Sequence, residues 1–304
     1  MGLFSENWAK QCAYGALTAG IIFSATTFAE DASNNTAVNA ATAGTSATAV
    51  PATPSGAKIV AGIDVRPSWD PTLNVFRTED AVEMGYQFKA GRSITYIQTA
   101  TTNIHTPNEA LGANPLLDVG YLRTGLSNLL SDSSTGLSFG YQNRIYIPTA
   151  GYMRDAGQIS MVRNYFNMSK RFNNSVVVTL TEMPVFHFNS RAGTALTGAG
   201  TANSSFQNRI YLTTDIQITD NLSVSFPVMF HQTKYANFQA DAMRNNSWDY
   251  LVWTYPEITY SLGGGTSVGF AYYSANLVKP DLSDLDLEAG LSNGTFQVAF
   301  TAYL

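Results

Sequence analysis

From about residue 58 onward the chain alternates apolar and polar positions, most clearly over residues 247–276, SWDYLVWTYPEITYSLGGGTSVGFAYYSAN. The even positions Trp248, Tyr250, Val252, Ile258 and Tyr260 are apolar or aromatic, as are Val268, Phe270 and Tyr272 beyond the turn Gly263-Gly264-Gly265. The odd positions Asp249, Glu257, Thr259, Ser261, Gly269 and Ala271 are polar or small. Successive side chains of a strand point to opposite faces, so this pattern predicts a hairpin with one greasy and one mixed face. Its first strand is long for a soluble sheet, where strands average about five or six residues. The run from Tyr250 to Tyr260, at about 3.3 Å per residue and a tilt of about 40°, climbs about 25 Å, the height of the apolar band of a bilayer-spanning strand. Aromatics at both ends of the greasy face then fall at the two membrane interfaces.

The same alternation predicts twelve strands: residues 59–69, 81–88, 93–99, 116–126, 137–147, 158–172, 175–188, 206–218 and 222–235, the two strands of the hairpin above, and 294–304. In the first, Ile63 and Val65 oppose Asp64 and Arg66; in the second, Val82, Met84, Tyr86 and Phe88 oppose Glu83, Gly85 and Gln87. The fourth puts Val119 and Tyr121 outward with Asp118 and Gly120 inward, its ends ambiguous. In the fifth, Leu137, Phe139, Tyr141, Ile145 and Ile147 oppose Ser138, Gly140, Gln142, Arg144 and Tyr146. Connections fall into tight turns (89–92, 173–174, 219–221, 262–265) and longer loops (70–78, 104–114, 149–157, 189–204, 236–246, 277–293), which alternate except that 129–136 is long for its place. Short turns on one side and long loops on the other, with an even strand count, describe an all-β, up-and-down antiparallel transmembrane β-barrel with both termini on the short-turn side.

Composition agrees with that class. Charged residues make up 13% of the chain, against about 25% in ordinary globular proteins, yet no apolar run is long enough for a second spanning helix. Residues 1–29, with Lys10 ahead of an apolar run and Thr27-Phe28-Ala29 before Glu30, read as a secretory signal peptide rather than a membrane anchor. Cys12 precedes the apolar run, so cleavage leaves a chain without cysteine and without disulfide or thiolate chemistry. Residues 30–57 form an Ala/Thr/Ser-rich tract with no periodicity, a flexible periplasmic segment or alternatively a plug folded into the barrel, and residues 58–304 form the barrel. A net charge of −5 offers no nucleic-acid surface.

The last strand alternates to the final residue: Phe296, Val298, Phe300, Ala302 and Leu304 against Thr295, Gln297, Ala299, Thr301 and Tyr303. It resembles the C-terminal insertion signal of Gram-negative outer-membrane proteins, departing from it in ending on Leu304 with the aromatic Tyr303 one place early. The resemblance implies a location in the bacterial outer membrane. It also implies contact with outer-membrane lipid and lipopolysaccharide, and with the barrel-assembly machinery, which would read Phe296, Val298, Phe300, Tyr303 and Leu304. Oligomeric state is left open, since no stretch marks an interface.

If the apolar parity faces lipid, the lumen receives Arg66, Glu83, Asp118, Gln142, Arg144, Gln207, Arg209, His231, Asp249 and Glu257. Charges of both signs suit a hydrated interior, since on the lipid face they would cost about 2–4 kcal/mol at mid-bilayer. Arg144 and Arg209 stand first as a selectivity-setting pair, each flanked by an inward Gln and Tyr, and QNRIY at 142–146 recurs at 207–211; the competing reading is that they pair with acids and fill the lumen. The twelve-strand count sets the two copies on strands of opposite direction. PVFH at 184–187 recurs loosely as PVMFH at 227–231. The three histidines, His105, His187 and His231, lack the context of an outer-membrane hydrolase. The acidic run 281–288 lacks the ligand order of a calcium loop, so neither a metal nor a cofactor is expected. The expected function is a passive, porin-like channel for small hydrophilic solutes and not an enzyme. A closed barrel with a structural or adhesive role through its loops is the alternative, and an outer-membrane hydrolase the third reading.

Overall fold

A computed structural model describes residues 58–71, 74–88, 92–105, 115–149, 153–154, 156–196, 199–241, 243–278 and 284–303. The signal-like stretch 1–29, the tract 30–57 and the terminal Leu304 lie outside these residues. In chain order the strands are β1 (Lys58–Asp70), β2 (Val75–Gln87), β3 (Arg92–His105), β4 (Pro115–Asp132), β5 (Leu137–Ile147), β6 (Gln158–Arg171) and β7 (Val176–Asn189). A small hairpin follows, β8 (Gly193–Leu196) with β9 (Ala199–Ala202), and then β10 (Ser204–Gln217), β11 (Leu222–Tyr235), β12 (Trp248–Thr254), β13 (Glu257–Gly263), β14 (Thr266–Tyr273) and β15 (Thr295–Tyr303). Apart from β8 and β9, which pair only with each other, every strand hydrogen-bonds antiparallel along one sheet, and β15 pairs back onto β1 through contacts such as Ile63↔Ala302 and Trp69↔Phe296. Because β12 and β13 both lie against β11, they fill one place, and the closed barrel has twelve staves. Closure leaves no edge whose N–H and C=O groups would have to be satisfied in lipid.

The distribution of side chains is the reverse of a soluble protein's. Ile59, Ile63, Val82, Met84, Phe166, Phe186, Leu212, Phe226, Phe270 and Phe300 are exposed on the outer wall, while Arg66, Arg144, Arg163 and Arg209 are the largest fully buried side chains. Aromatics gather at both rims of the apolar wall. On the long-loop side Phe296 meets Trp69 (6.3 Å), Tyr272 (5.0 Å) and Phe270 (6.1 Å), and Phe186 meets Phe206 (5.4 Å). On the short-turn side lie the Tyr86–Phe88 pair at 4.9 Å and the exposed Phe172 and Tyr260. An apolar wall between two aromatic rims is the surface that a bilayer solvates.

Four local expectations need correction. The loop expected at 70–78 is absent, since β1 and β2 run on in unbroken register to Asp70↔Val75 and enclose only residues 71–74. The long turn at 129–136 is also absent: β4 continues to Asp132 and turns through residues 133–136, with Asp132 accepting from the Ser134 N–H at 2.9 Å and the Thr135 hydroxyl at 2.7 Å. The strand predicted through Tyr250 to Tyr260 is divided at Tyr255-Pro256, although Val228↔Thr254 and Ser225↔Glu257 keep one register. In that register Pro227 stands opposite Tyr255 and Pro256 opposite Phe226, and neither proline has an N–H to give, so the ladder loses donors on both strands, while Tyr255 N–H reaches Pro227 O at 3.3 Å.

The fourth correction concerns faces. Tyr121, expected outward, is buried in the interior against Tyr146, and Gly120, expected inward, points to the outside, where a Cβ would meet the Tyr96 hydroxyl. Between Gln98↔Gly120 and Ala100↔Leu117 the β4 strand carries one extra residue, and a second irregularity separates Leu126↔Tyr141 from Leu130↔Phe139. An extra residue exchanges the two faces of everything beyond it, so parity read along β4 from Val119 fails.

Candidate functional site in the barrel interior

The inward positions of β5 and β6 build the centre of the site. Alternation directs Gln142, Arg144 and Tyr146 inward from β5, and Met161, Arg163 and Tyr165 inward from β6, with Arg144↔Arg163 as direct partners. Arg123 of β4 pairs in turn with Arg144, so three arginines stand side by side on adjacent strands. Like charges in this arrangement repel, and aromatic faces take up the guanidinium groups. Arg144 lies 4.3 Å above the Tyr165 ring and 5.3 Å from that of Tyr121, while Arg163 lies 4.5 Å above Tyr146. Each such stack contributes about 0.5–2 kcal/mol, more when water is excluded. The Gln142 amide, with its oxygen toward the guanidinium, accepts from Arg144 at 2.8 Å and 2.6 Å. Arg123 forms an ion pair with Glu83 of β2 over the intervening strand β3.

The wall continues through β7, β10 and β11. Arg209 pairs in register with Met183 on one side and His231 on the other, and donates to Gln207 Oε1 at 3.0 Å. His231 Nε2 shares a 2.9 Å hydrogen bond with the Thr233 hydroxyl and sets its ring edge-on to Trp253 at 5.6 Å. Asp249, the register partner of Thr233, is half-buried on β12, and Glu257 at the start of β13 is buried and accepts from Thr259 at 3.0 Å. On β1, Arg66 donates to Asp64 at 2.9 Å and to Gln297 of β15 at 3.3 Å, and Gln297 also accepts from the Tyr273 hydroxyl at 3.2 Å. Arg77 and Glu79 form a further pair at 3.2 Å on β2.

The structure therefore gathers Arg66, Glu83, Gln142, Arg144, Gln207, Arg209, His231, Asp249 and Glu257 on interior positions of one barrel. Asp118 lies on β4, but its side chain is outside what is described. Phe296, Val298 and Phe300 stand exposed on the outer wall at the β14–β15–β1 seam, and Tyr303 N–H donates to Gly265 O at 3.0 Å. Tyr146 was read on the inner face beside Arg144, whereas Arg123, Arg163, Tyr121 and Tyr165 were not anticipated as members of the site. Arg163 was legible: Met161, Arg163 and Tyr165 alternate with Val162, Asn164 and Phe166, but a mixed outer face hid the parity. The twelve-stave count fixes the QNRIY copies on β5 and β10, which run in opposite directions, so similar interior chemistry recurs without a duplicated hairpin.

The charges are unevenly spread around the ring. Arg123, Arg144, Arg163, His187, Arg209 and His231 face inward from six consecutive staves, β4, β5, β6, β7, β10 and β11. Asp64, Glu79, Glu83 and Glu257 come from β1, β2 and β13, on the remaining part of the circumference, while Asp215 of β10 also faces inward, within the basic run and near its β11 border. Arg66 and Arg77 on that part are each paired with a carboxylate.

A closed, twelve-stave, up-and-down antiparallel barrel with an apolar outer wall and an ionic interior has the fold of outer-membrane channel proteins. Among solved structures it is similar to an outer membrane channel from Pseudomonas putida F1, with a TM-score of 0.56 and 10% identity over 83% of this chain and 97% of that one. It is likewise similar to the NanC porin, with a TM-score of 0.50 and 9% identity over 80% of this chain and 99% of that one. No family model matches the sequence, and no curated protein matches it. Fold and neighbours together support an outer-membrane location for this barrel.

Proposed function

We propose that this protein is a passive outer-membrane channel for small hydrophilic solutes whose arginine-bearing wall gives it a local preference for anions. The observation that carries the reading is the run of basic side chains facing inward from β4 through β11, interrupted by Asp215 of β10, opposite the carboxylates of β1, β2 and β13. Fixed charges of opposite sign across a narrow lumen set up a transverse field. Such a field acts on a passing ion more strongly than charge on distant loops. The chain's overall charge of −5 therefore does not decide the selectivity. On this reading residues 1–29 direct export and are removed, and the β15 strand is what the assembly machinery engages.

Planar-bilayer recording of the purified, folded protein tests the proposal. In a salt gradient the wild type should conduct with anion preference, Arg144→Glu with Arg209→Glu should move the reversal potential toward cations, and the corresponding Ala pair should fall between. A folded wild type with no conductance under any voltage overturns it. That outcome would favour the second reading, a closed barrel acting through its loops, which one observation supports: Arg144 and Arg209 are each only 1% exposed and Arg163 is 0% exposed, the first and last of them stacked on tyrosine rings.

A further inference from the structure

The outer wall carries a feature that conduction does not use. Glu182 occupies the fourth of the seven outward positions of β7, between Leu180 and Pro184, and is exposed. Its register partners are Phe166 on β6 and Ile210 on β10, and Phe166, Leu180 and Ile210 are themselves exposed. A carboxylate thus stands in the middle of the apolar wall, level with acyl chains and between the two aromatic rims. Among the described residues it makes no hydrogen bond and no ion pair. Ionisable groups in this position are unfavourable in lipid and are kept where a partner meets them.

A row of amides crosses the same face. Thr124↔Asn143 and Asn143↔Asn164 are paired outward on β4, β5 and β6, and Pro184↔Asn208 and Asn208↔Gln232 on β7, β10 and β11. Asn164 lies between the pairs Arg163↔Val185 and Phe166↔Glu182, which sets it one step from Glu182 on the neighbouring strand. Its Oδ1 already accepts from the Tyr141 hydroxyl at 2.8 Å and from Asn143 Nδ2 at 2.9 Å, so its own Nδ2 protons are turned to the outside without an acceptor among the described residues. Asn208 Oδ1 likewise has no hydrogen-bond partner.

We infer that this face, centred on Glu182, is a contact between two copies of the chain within the membrane. An acceptor, the Glu182 carboxylate, and a donor, the Asn164 amide, lie side by side near mid-wall on adjacent strands, and neither is used internally. A two-fold axis along the membrane normal brings each opposite the other in the second copy, which is the self-complementarity that an isologous interface requires. Acyl chains offer neither donor nor acceptor, and lipid headgroups lie at the rims, so the partner of this row is protein.

The experiment counts barrels. Full-length mature protein is reconstituted in lipid nanodiscs and analysed by native mass spectrometry beside Glu182→Leu and Asn164→Leu, with heat-modifiable migration as the check of folding. The wild type should be dimeric, and each Leu variant should be a folded barrel whose dimer dissociates at least tenfold more readily. In Glu182→Gln, where an amide can still pair with an amide, the dimer should persist. A wild type that stays monomeric at every protein-to-lipid ratio overturns the inference, as does a dimer indifferent to both Leu variants or a complex with a different protein in place of a dimer. Should the Leu variants fail to fold, Ile210→Cys in the otherwise unchanged chain decides: oxidation should link two barrels across the axis, and its failure to do so overturns the inference equally.

Discussion

At the scale of single residues the interior shows how arginine is kept inside a barrel. Arg163 is fully buried, and the Tyr146 ring 4.5 Å beneath its guanidinium offsets part of the cost of burying that charge. Arg163→Leu should therefore leave a folded barrel, remove a stacking contribution of about 0.5–2 kcal/mol, and move the reversal potential in the same direction as Arg144→Ala. An unchanged potential in a conducting variant would remove Arg163 from the conduction path. A different constraint acts at Gly85 on β2, where a Cβ would lie 2.4 Å from the Ile94 carbonyl oxygen and 2.7 Å from Thr95 Cα. Both obstacles are backbone of the neighbouring strand and cannot swing aside. Gly85→Ala should lower the unfolding midpoint in urea by the equivalent of about 1–3 kcal/mol, as overpacking generally does. These two positions differ in how far the sequence reveals them. Arg163 follows from alternation once the mixed outer face of β6 is recognised, whereas the close approach at Gly85 depends on register, which no local pattern contains.

At the scale of elements, alternation located the staves because a barrel wall has two different solvents, lipid outside and an ionic interior within. It failed where one of those contrasts was blurred. On β4 an inward tyrosine mimics an outward apolar residue, and an extra residue reverses the faces. At Tyr255-Pro256 the side-chain pattern runs on unbroken while the hydrogen-bond ladder does not, because periodicity reports side chains and proline acts on the backbone. The polar row on β5, β6 and β10 was hidden for the opposite reason: it breaks the lipid-facing rule that the reading assumed. The terminal strand is the element most directly open to test. Phe300 is exposed on the outer wall and pairs with Val65 of β1 and Val268 of β14, so Phe300→Asp sets a carboxylate at the closing seam, a cost somewhat below the about 2–4 kcal/mol of Arg or Lys at mid-bilayer. Loss of the heat-modifiable form from outer-membrane fractions is expected, and equally on deletion of Tyr303 and Leu304, since Tyr303 N–H fixes the strand end to Gly265. Normal levels of folded barrel in either variant would dissociate β15 from assembly.

At the scale of the whole molecule, strand order and connection length together orient the barrel. The ends of β2, β4, β6, β10 and β13 lie on the side where β1 begins and β15 ends, while the ends of β3, β5, β7, β11 and β14 lie on the other, so the short connections leave from the first side and most of the long ones from the second. The long side also holds local structure of its own: the β8–β9 hairpin, whose Ala202 N–H donates to Asp241 at 2.9 Å, and the short helix Leu287–Ser292. The first connection, residues 71–74, is short although it lies on the long-loop side, so length alone does not fix each turn. Even strand number and antiparallel order do, because they place alternate connections on opposite sides regardless of length. Outer-membrane barrels carry their longer loops outward, so single cysteines introduced at Ser190 and Gln239, both exposed, should react with a membrane-impermeant maleimide on intact cells. Cysteines at Ser133 and Asn174, exposed in the short turns, should react only after the outer membrane is permeabilised. Labelling of Ser133→Cys and Asn174→Cys on intact cells with protection of the other two would invert the barrel in the membrane. Cys12 is the sequence's one cysteine, so Cys12→Ser with no introduced cysteine provides the unlabelled control on which the comparison depends.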